Sequence, residues 1–85
     1  SISNANRVLG EVEAALSNNI AAEKSLREVL VYQPGNFKVL QDLLWILRDR
    51  ADIASEMGDP EKAQKIRREC LQFGLQLVDQ YYLLP

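Results

Sequence analysis

The sequence contains 85 residues, of which 47% are hydrophobic and 26% are charged, a composition typical of one small globular domain. The formal net charge of −2 argues against a nucleic-acid-binding surface, since such surfaces carry a strong basic excess. A single cysteine excludes an internal disulfide, and no apolar run reaches the roughly 18 residues of a membrane span. With no signal peptide recognisable, we expect a cytoplasmic chain that is a piece of a longer protein.

Two helices are predicted in the first 33 residues. The first spans residues 3–16 and carries apolar residues at helical spacing: Ile2, Ala5, Leu9, Val12 and Leu16. The polar segment Ser17-Asn18-Asn19 is interpreted as a break, with Asn19 capping the next helix. The second predicted helix runs to residue 33, with an apolar face formed by Ala22, Leu26, Val29 and Leu30.

Two further helices are predicted in the rest of the chain. Pro34 ends the second helix, and Asn36 can cap a third helix over residues 37–57. The "GDPE" segment at residues 58–61 combines a C-terminal glycine, an N-cap aspartate and a first-turn proline, and starts a fourth helix over residues 60–83. No segment alternates apolar and polar residues. The sequence therefore predicts an all-α domain of four antiparallel helices, arranged as two stacked hairpins over residues 3–33 and 37–83.

The overlapping apolar rows of these helices predict a core. Its members are Leu26, Leu30, Leu40, Leu43, Leu47, Ile66, Cys70 and Leu71.

The spacing of small residues resembles a known helical repeat. Residues 3–36 span 34 positions, with Gly10 and Ala22 where two helices of a hairpin would approach closely and Pro34 at the end of the second. This pattern is similar to one tetratricopeptide repeat, whose period is 34. A second copy starts at Phe37 but is stretched, because Ala63 follows Ala22 by 41 positions. We therefore expect helices three and four to be about 31–36 Å long and helices one and two about 21 Å. A generic four-helix bundle is the alternative.

The resemblance implies a binding groove. In this family the first helix of each pair lines a concave face that holds a peptide or a partner helix. The matching positions in this sequence are Arg7 and Glu11 from helix one, and Lys38, Gln41, Trp45 and Arg48 from helix three. The function implied is a protein–protein interaction module, a scaffold or adaptor segment. The alternative for Trp45 is a packed position against helix one, near Val8 and Val12.

The second functional hypothesis is a self-association domain, in which the long hairpin of helices three and four builds a dimer. The last helix becomes apolar on nearly all sides after residue 73, and one of these sides has no predicted partner within the chain. Another subunit or a neighbouring repeat could cover it. The candidate residues are Phe73, Leu77, Tyr81 and Tyr82.

The inventory of reactive residues argues against an enzyme. The sequence has no histidine, and Cys70 lies on an apolar row, which favours a packing role over a reactive thiolate. No Gly-rich phosphate loop or metal-ligand spacing occurs, so no cofactor and no metal are predicted. The basic cluster Lys62, Lys65, Arg67 and Arg68 is diluted by acidic neighbours and is interpreted as a solvated helix face.

Overall fold

Three α-helices joined by two short turns make up the part of the chain that the structure describes. The computed structural model describes the backbone of residues 2–81 and the side-chain surroundings of residues 7–79. Helix α1 spans Ile2–Tyr32, α2 spans Phe37–Glu56 and α3 spans Pro60–Tyr81. No strand occurs within residues 2–81. The all-α prediction is confirmed, and the prediction of four helices is wrong.

The correction concerns residues 3–33, which form one continuous helix in place of the predicted hairpin. Ser17-Asn18-Asn19 contains neither Pro nor Gly, and a serine or asparagine inside a helix costs only about 0.7 kcal/mol relative to alanine. Asn19 is only 7% exposed and bonds to α2. Its Nδ2 donates to the Ile46 carbonyl at 2.8 Å, and its Oδ1 accepts from Arg50 Nε at 2.8 Å. Asn19 therefore contacts a neighbouring helix and does not cap a new one.

The helix lengths follow from this correction. α1 has 31 residues and is about 46 Å long, in place of two predicted helices of about 21 Å each. α2 and α3 have 20 and 22 residues, which correspond to about 30 and 33 Å. These two lengths agree with the prediction for the second hairpin.

Both turns use the residues that the sequence indicates. Asn36 is the N-cap of α2, and its side chain accepts a hydrogen bond from the backbone N–H of Val39 at 3.1 Å. After α2, Gly58 has a φ of +80°, which a glycine adopts without strain. Asp59 Oδ1 then accepts from the backbone N–H of Lys62 at 3.1 Å, as expected for the N-cap of α3. The two turns reverse the chain, so α2 runs antiparallel to both of its neighbours.

The core lies along α2, which packs against α1 and against α3. Within the described residues no Cα atom of α1 comes within 8 Å of one in α3. The buried core residues are Leu43, Leu47, Ala51 and Ala54 of α2 and Ala63 and Ile66 of α3. Leu26 and Leu30 of α1 and Cys70 and Phe73 of α3 pack against them, partly buried.

The predicted core is confirmed except at one position. Leu40, Leu43, Leu47 and Ile66 are buried, and Leu26, Leu30 and Cys70 are partly buried. The prediction for Leu71 is wrong, because its side chain is 65% exposed. Adjacent positions on a helix point about 100° apart, and α2 covers the side of α3 on which Cys70 lies. Leu71 is left on the open side.

The three helices form a flat plate with α2 in the middle. The molecule measures 58 × 25 × 13 Å, and its radius of gyration is 15.5 Å, against about 12 Å for a compact domain of this length. Leu16 of α1 lies beside Met57, just after the end of α2. The residues of α1 before Leu16 therefore extend past the end of α2. Because the three helices lie in one layer, one side of α2 is covered by neither neighbour.

Candidate interaction surface

One row of residues on α2 faces away from the core. Its members follow one another at intervals of three or four positions, which places them on one side of the helix: Trp45, Asp49, Asp52 and Glu56. All four side chains are exposed. We refer to this row as the α2 ridge. It combines one large aromatic side chain at its N-terminal end with three carboxylates.

Trp45 is held at the surface by a neighbouring cation. Its side chain is 53% exposed, and the guanidinium carbon of Arg48 lies 5.1 Å from the centre of its ring. At this distance the cation is attracted to the face of the aromatic ring. The alternative packing of Trp45 against Val8 and Val12 is not observed, since those residues lie towards the opposite end of α2. Trp45 is therefore an exposed aromatic side chain with a cation over its ring.

A second row of apolar side chains is exposed on α3. Leu71, Leu75 and Val78 are spaced by four and three positions and are 65%, 57% and 43% exposed. We refer to them as the α3 stripe. The sequence indicates that this end of α3 is apolar on nearly all sides, but it does not indicate which side α2 covers.

A cleft between α2 and α3 connects the two rows. It has a volume of about 470 Å³, and Leu44, Arg48 and Asp52 line it from α2. Arg67, Cys70 and Leu71 line it from α3. Because Arg48 contacts Trp45 and also lines this cleft, Trp45 and the first residue of the α3 stripe belong to one continuous surface.

A wider groove runs along the other side of the α2 ridge, between α1 and α2. It has a volume of about 620 Å³ and opens to solvent. Its apolar lining comes from Ala15 and Ala22 of α1 and from Ile46 and Ile53 of α2. The three carboxylates of the ridge, Asp49, Asp52 and Glu56, line the α2 side. We refer to it as the α1–α2 groove. This groove is not predicted by the sequence pattern, because a break at Ser17-Asn18-Asn19 would remove the continuous helix that forms one of its walls.

A polar cluster joins α1 and α2 and holds the walls of this groove in register. Glu23 forms ion pairs with Arg50 and with Arg27, the latter at 2.7 Å. Burial raises the pKa of Glu23, but the hydrogen bonds and charges of Arg27 and Arg50 outweigh this effect, so the pKa lies below its ordinary value. Arg50 also donates to Asn19. Glu23 is therefore a carboxylate at neutral pH, with its charge compensated by two guanidinium groups.

The structure brings together some of the residues predicted for the groove of helices one and three, and separates others. Lys38, Gln41, Trp45 and Arg48 lie on the exposed side of α2, where Lys38 also pairs with Asp42 at 2.9 Å. Arg7 and Glu11 pair loosely with each other at 4.0 Å on the part of α1 that extends past α2. Because the helices are antiparallel, Glu11 and Lys38 lie at opposite ends of α2, about 30 Å apart along α1. These two groups do not line one groove.

The residues predicted for self-association are also divided. Phe73 is partly buried against the core and Leu77 is only 8% exposed, so most of both side chains is covered within the chain. The side chain of Tyr81 and the whole of Tyr82 lie outside the described residues. Among the described residues of this helix, the exposed apolar row is the α3 stripe. Leu71 and Val78 each follow a covered residue (Cys70 and Leu77) by one position, which turns them about 100° around the helix axis.

No catalytic arrangement is found among the described side chains. Burial raises the pKa of the Cys70 thiol, and the nearby Glu69 carboxylate raises it further, so the thiol is protonated at neutral pH. The described residues contain no group of three or more potential metal ligands. None of the helices in this part of the chain is both long enough and apolar enough to cross a membrane. What the surface offers is contact area, shape and charge.

Comparisons with family models, with curated proteins and with solved structures find no match to this chain. The tetratricopeptide resemblance therefore stays a prediction.

Proposed function

We propose that this chain is a protein–protein interaction module, a scaffold or adaptor segment, that binds its partner through the uncovered side of α2. The observation that carries the proposal is Trp45, an exposed tryptophan that stacks with Arg48 beside an exposed apolar row. Tryptophan and arginine are the residues most enriched among those that dominate binding energy at protein interfaces. Neighbouring apolar side chains add area that a partner can remove from water.

The charge of this surface favours a protein partner over a nucleic acid. The α2 ridge carries three carboxylates, which would repel a phosphate backbone. Arg48 and Lys38 lie on the same helix, and Lys38 is paired with Asp42. A protein segment can present an apolar anchor for Trp45 and mixed charges for its surroundings, whereas a polyanion cannot.

The proposed surface differs from the groove that the family resemblance implies. It keeps Trp45, Arg48, Gln41 and Lys38, and it replaces Arg7 and Glu11 with residues of α3. The hairpin formed by α2 and α3 covers the residues of the predicted second repeat. The continuous α1 takes the place of the hairpin predicted for the first repeat.

Self-association is a second candidate function, because the α3 stripe is self-complementary in chemistry. Leu71, Leu75 and Val78 on two copies could pack against each other around a two-fold axis. Sedimentation velocity distinguishes the two functions. A single sedimenting species at all concentrations, combined with binding of a foreign segment, supports the module. A sedimenting mass that rises to twice the monomer mass as the concentration increases, and that stays at the monomer mass in Leu75→Lys, supports the dimer.

The proposal is tested by selecting helical peptides from a display library against the immobilised chain. Trp45 is the only tryptophan in the sequence, so its fluorescence reports directly on any peptide that covers it. We expect Trp45→Ala to weaken the selected peptides by about 2 kcal/mol or more, roughly thirtyfold in Kd. Because Trp45 is half exposed, we expect the free energy of unfolding to change by less than about 1 kcal/mol.

Tyr32→Ala is the matched control, since Tyr32 is an aromatic residue that is 87% exposed but lies on α1, at its C-terminal end, and not on the α2 ridge. It should leave the affinities unchanged. Selected peptides that bind Trp45→Ala as tightly as the parent chain would remove Trp45 from the binding surface and reject the proposal.

A further inference from the structure

The α1–α2 groove has dimensions that suit an α-helix. Ala15 and Ala22 are two turns apart on one wall, and Ile46 and Ile53 are two turns apart on the other. Alanine side chains allow a helix to approach at the short end of the usual 8–10 Å interaxial range. The groove therefore offers an apolar floor about two helical turns long that is open to solvent.

The charges around this floor are of one sign. Asp49 and Glu56 have no ion-pair partner within the described residues, while Asp52 shares a 3.4 Å contact with Arg67. No lysine or arginine is among the described residues that line the groove. Two arginines of α2 have other partners: Arg50 is directed to Asn19 and Glu23, and Arg48 lies over the ring of Trp45. The α2 wall is thus a row of carboxylates in which two lack a counter-charge.

We infer that the α1–α2 groove binds a basic amphipathic helix of a partner protein. The apolar face of that helix rests on Ala15, Ala22, Ile46 and Ile53, and its lysine or arginine side chains face Asp49, Asp52 and Glu56. This inference rests on the proposed function, because it specifies the partner of the same uncovered side of α2. A partner helix longer than the groove also reaches Trp45, which lies on the same ridge one turn before Asp49.

A helical partner follows from the shape of the groove. The described residues present no strand edge to which an extended peptide could add. The floor residues repeat at the spacing of helix turns, which matches the apolar positions i, i+3, i+4 and i+7 of an amphipathic helix. The three carboxylates of the groove repel an anionic partner, so the polar face of the bound helix is expected to be basic.

The test uses two designed helical peptides of about 18 residues, a length at which an isolated helix becomes measurable. Both peptides carry the same apolar face of leucine and alanine and the same number of charged residues. The charged residues on the polar face are lysines in one peptide and glutamates in the other. Binding to the 85-residue chain is measured by Trp45 fluorescence and by calorimetry at two salt concentrations. Asp49→Asn combined with Glu56→Gln removes the two unpaired carboxylates without changing their size.

The control is Glu28→Gln combined with Glu69→Gln. It changes the net charge of the chain by the same amount, but both residues are exposed and lie outside the groove. Circular dichroism checks that each double variant keeps the helix content of the parent chain.

We expect the lysine peptide to bind roughly ten times more tightly than the glutamate peptide at low salt, with the preference reduced at high salt. The groove variant should lose roughly tenfold in affinity for the lysine peptide, and the control variant less than about twofold. Equal binding of the two peptides, no binding of either, or equal losses in both variants would overturn the inference. If library-selected peptides still require Trp45 in that case, the proposed function stands and only the groove is rejected.

Discussion

The contact between Arg50 and Glu23 links two helices through buried charge. Both side chains are less than one-fifth exposed, so removing either partner leaves the other with a costly desolvated charge. Arg27 supplies a second guanidinium to the same carboxylate, and Asn19 accepts from Arg50. The Nη2 atom of Arg50 is buried with no hydrogen-bond partner among the described residues. This cluster is therefore a geometric constraint that places α1 in one register on α2.

Glu23→Gln tests this constraint through its pH dependence. The ordinary pKa of a glutamate is 4.5, and that of Glu23 is lower in the folded chain. Its charge interactions therefore stabilise the fold fully above about pH 4.5, and this stabilisation is lost as the pH falls through the folded-state pKa. We expect the variant to be less stable than the parent by about 1–3 kcal/mol at pH 7, with the difference shrinking in acid. Urea denaturation at several pH values measures it.

Glu13→Gln provides the control, because Glu13 is an exposed glutamate on the same helix with no ion pair among the described residues. It should have little effect at any pH. A Glu23→Gln deficit that stays constant from neutral to acid pH would contradict the role assigned to the carboxylate charge.

α2 is the central element of the molecule because it carries two different sides. One side holds the buried row of Leu40, Leu43, Leu47, Ala51 and Ala54 and packs against both neighbouring helices. The other side is the α2 ridge. A helix that is apolar on one side and polar on the other is normally the surface helix of a larger core. Here it is the middle helix of a plate, so its polar side remains open for a partner.

Leu43→Ala tests the buried side of α2. Leu43 is 1% exposed, and its truncation leaves a cavity between the helices. We expect a loss of about 2–5 kcal/mol in the free energy of unfolding, a large fraction of the total for a domain of this size. Thermal or urea denaturation followed by circular dichroism measures the loss.

Leu71→Ala is the matched comparison on α3, since it removes the same atoms from a side chain that is largely exposed. We expect it to change stability by less than about 1 kcal/mol. Equal costs for the two substitutions would show that Leu71, and not only Leu43, is buried, which requires α3 to be rotated on α2.

The whole molecule exposes more surface than a compact domain of its mass. Its accessible surface is 6307 Å², against about 5,100 Å² expected for a 9.6 kDa globular monomer. The excess comes from the plate shape, in which α1 and α3 pack on α2 but their backbones stay apart. An open layer of this kind leaves grooves on both sides of its central helix, and these grooves are where a partner can bury further area.

Small-angle X-ray scattering tests this shape. A dilute chain should give a radius of gyration near 15.5 Å, allowing for hydration, and an elongated distance distribution that extends to nearly 60 Å. A chain in which α1 folded into a hairpin would approach the roughly 12 Å of a compact domain. Data collected over a concentration series separate this effect from self-association. A compact value at the lowest concentration would contradict the continuous α1.

The sequence by itself determined the helical class, the two turns and the buried side of α2. Asn36, Gly58 and Asp59 act through their own backbone and the adjacent residues, so their roles could be predicted from a few positions. The core row on α2 follows from the helical period alone. The exposure of Trp45 was predicted as one of two alternatives, since its position opposite that row favours solvent.

Only the tertiary structure decided the course of α1 and the surfaces that depend on it. A break and a continuous helix at residues 17–19 differ locally by little free energy, and the difference is decided by bonds from Asn19 to residues 27 and 31 positions away. The continuous helix separates Arg7 and Glu11 from Trp45 and forms a wall of the α1–α2 groove. The end of α3 is apolar on several sides, so the side that α2 covers was set by packing and not by pattern. When two local conformations have similar free energies, contacts between residues distant in sequence determine which one forms. A pattern of neighbouring residues carries no information about those contacts.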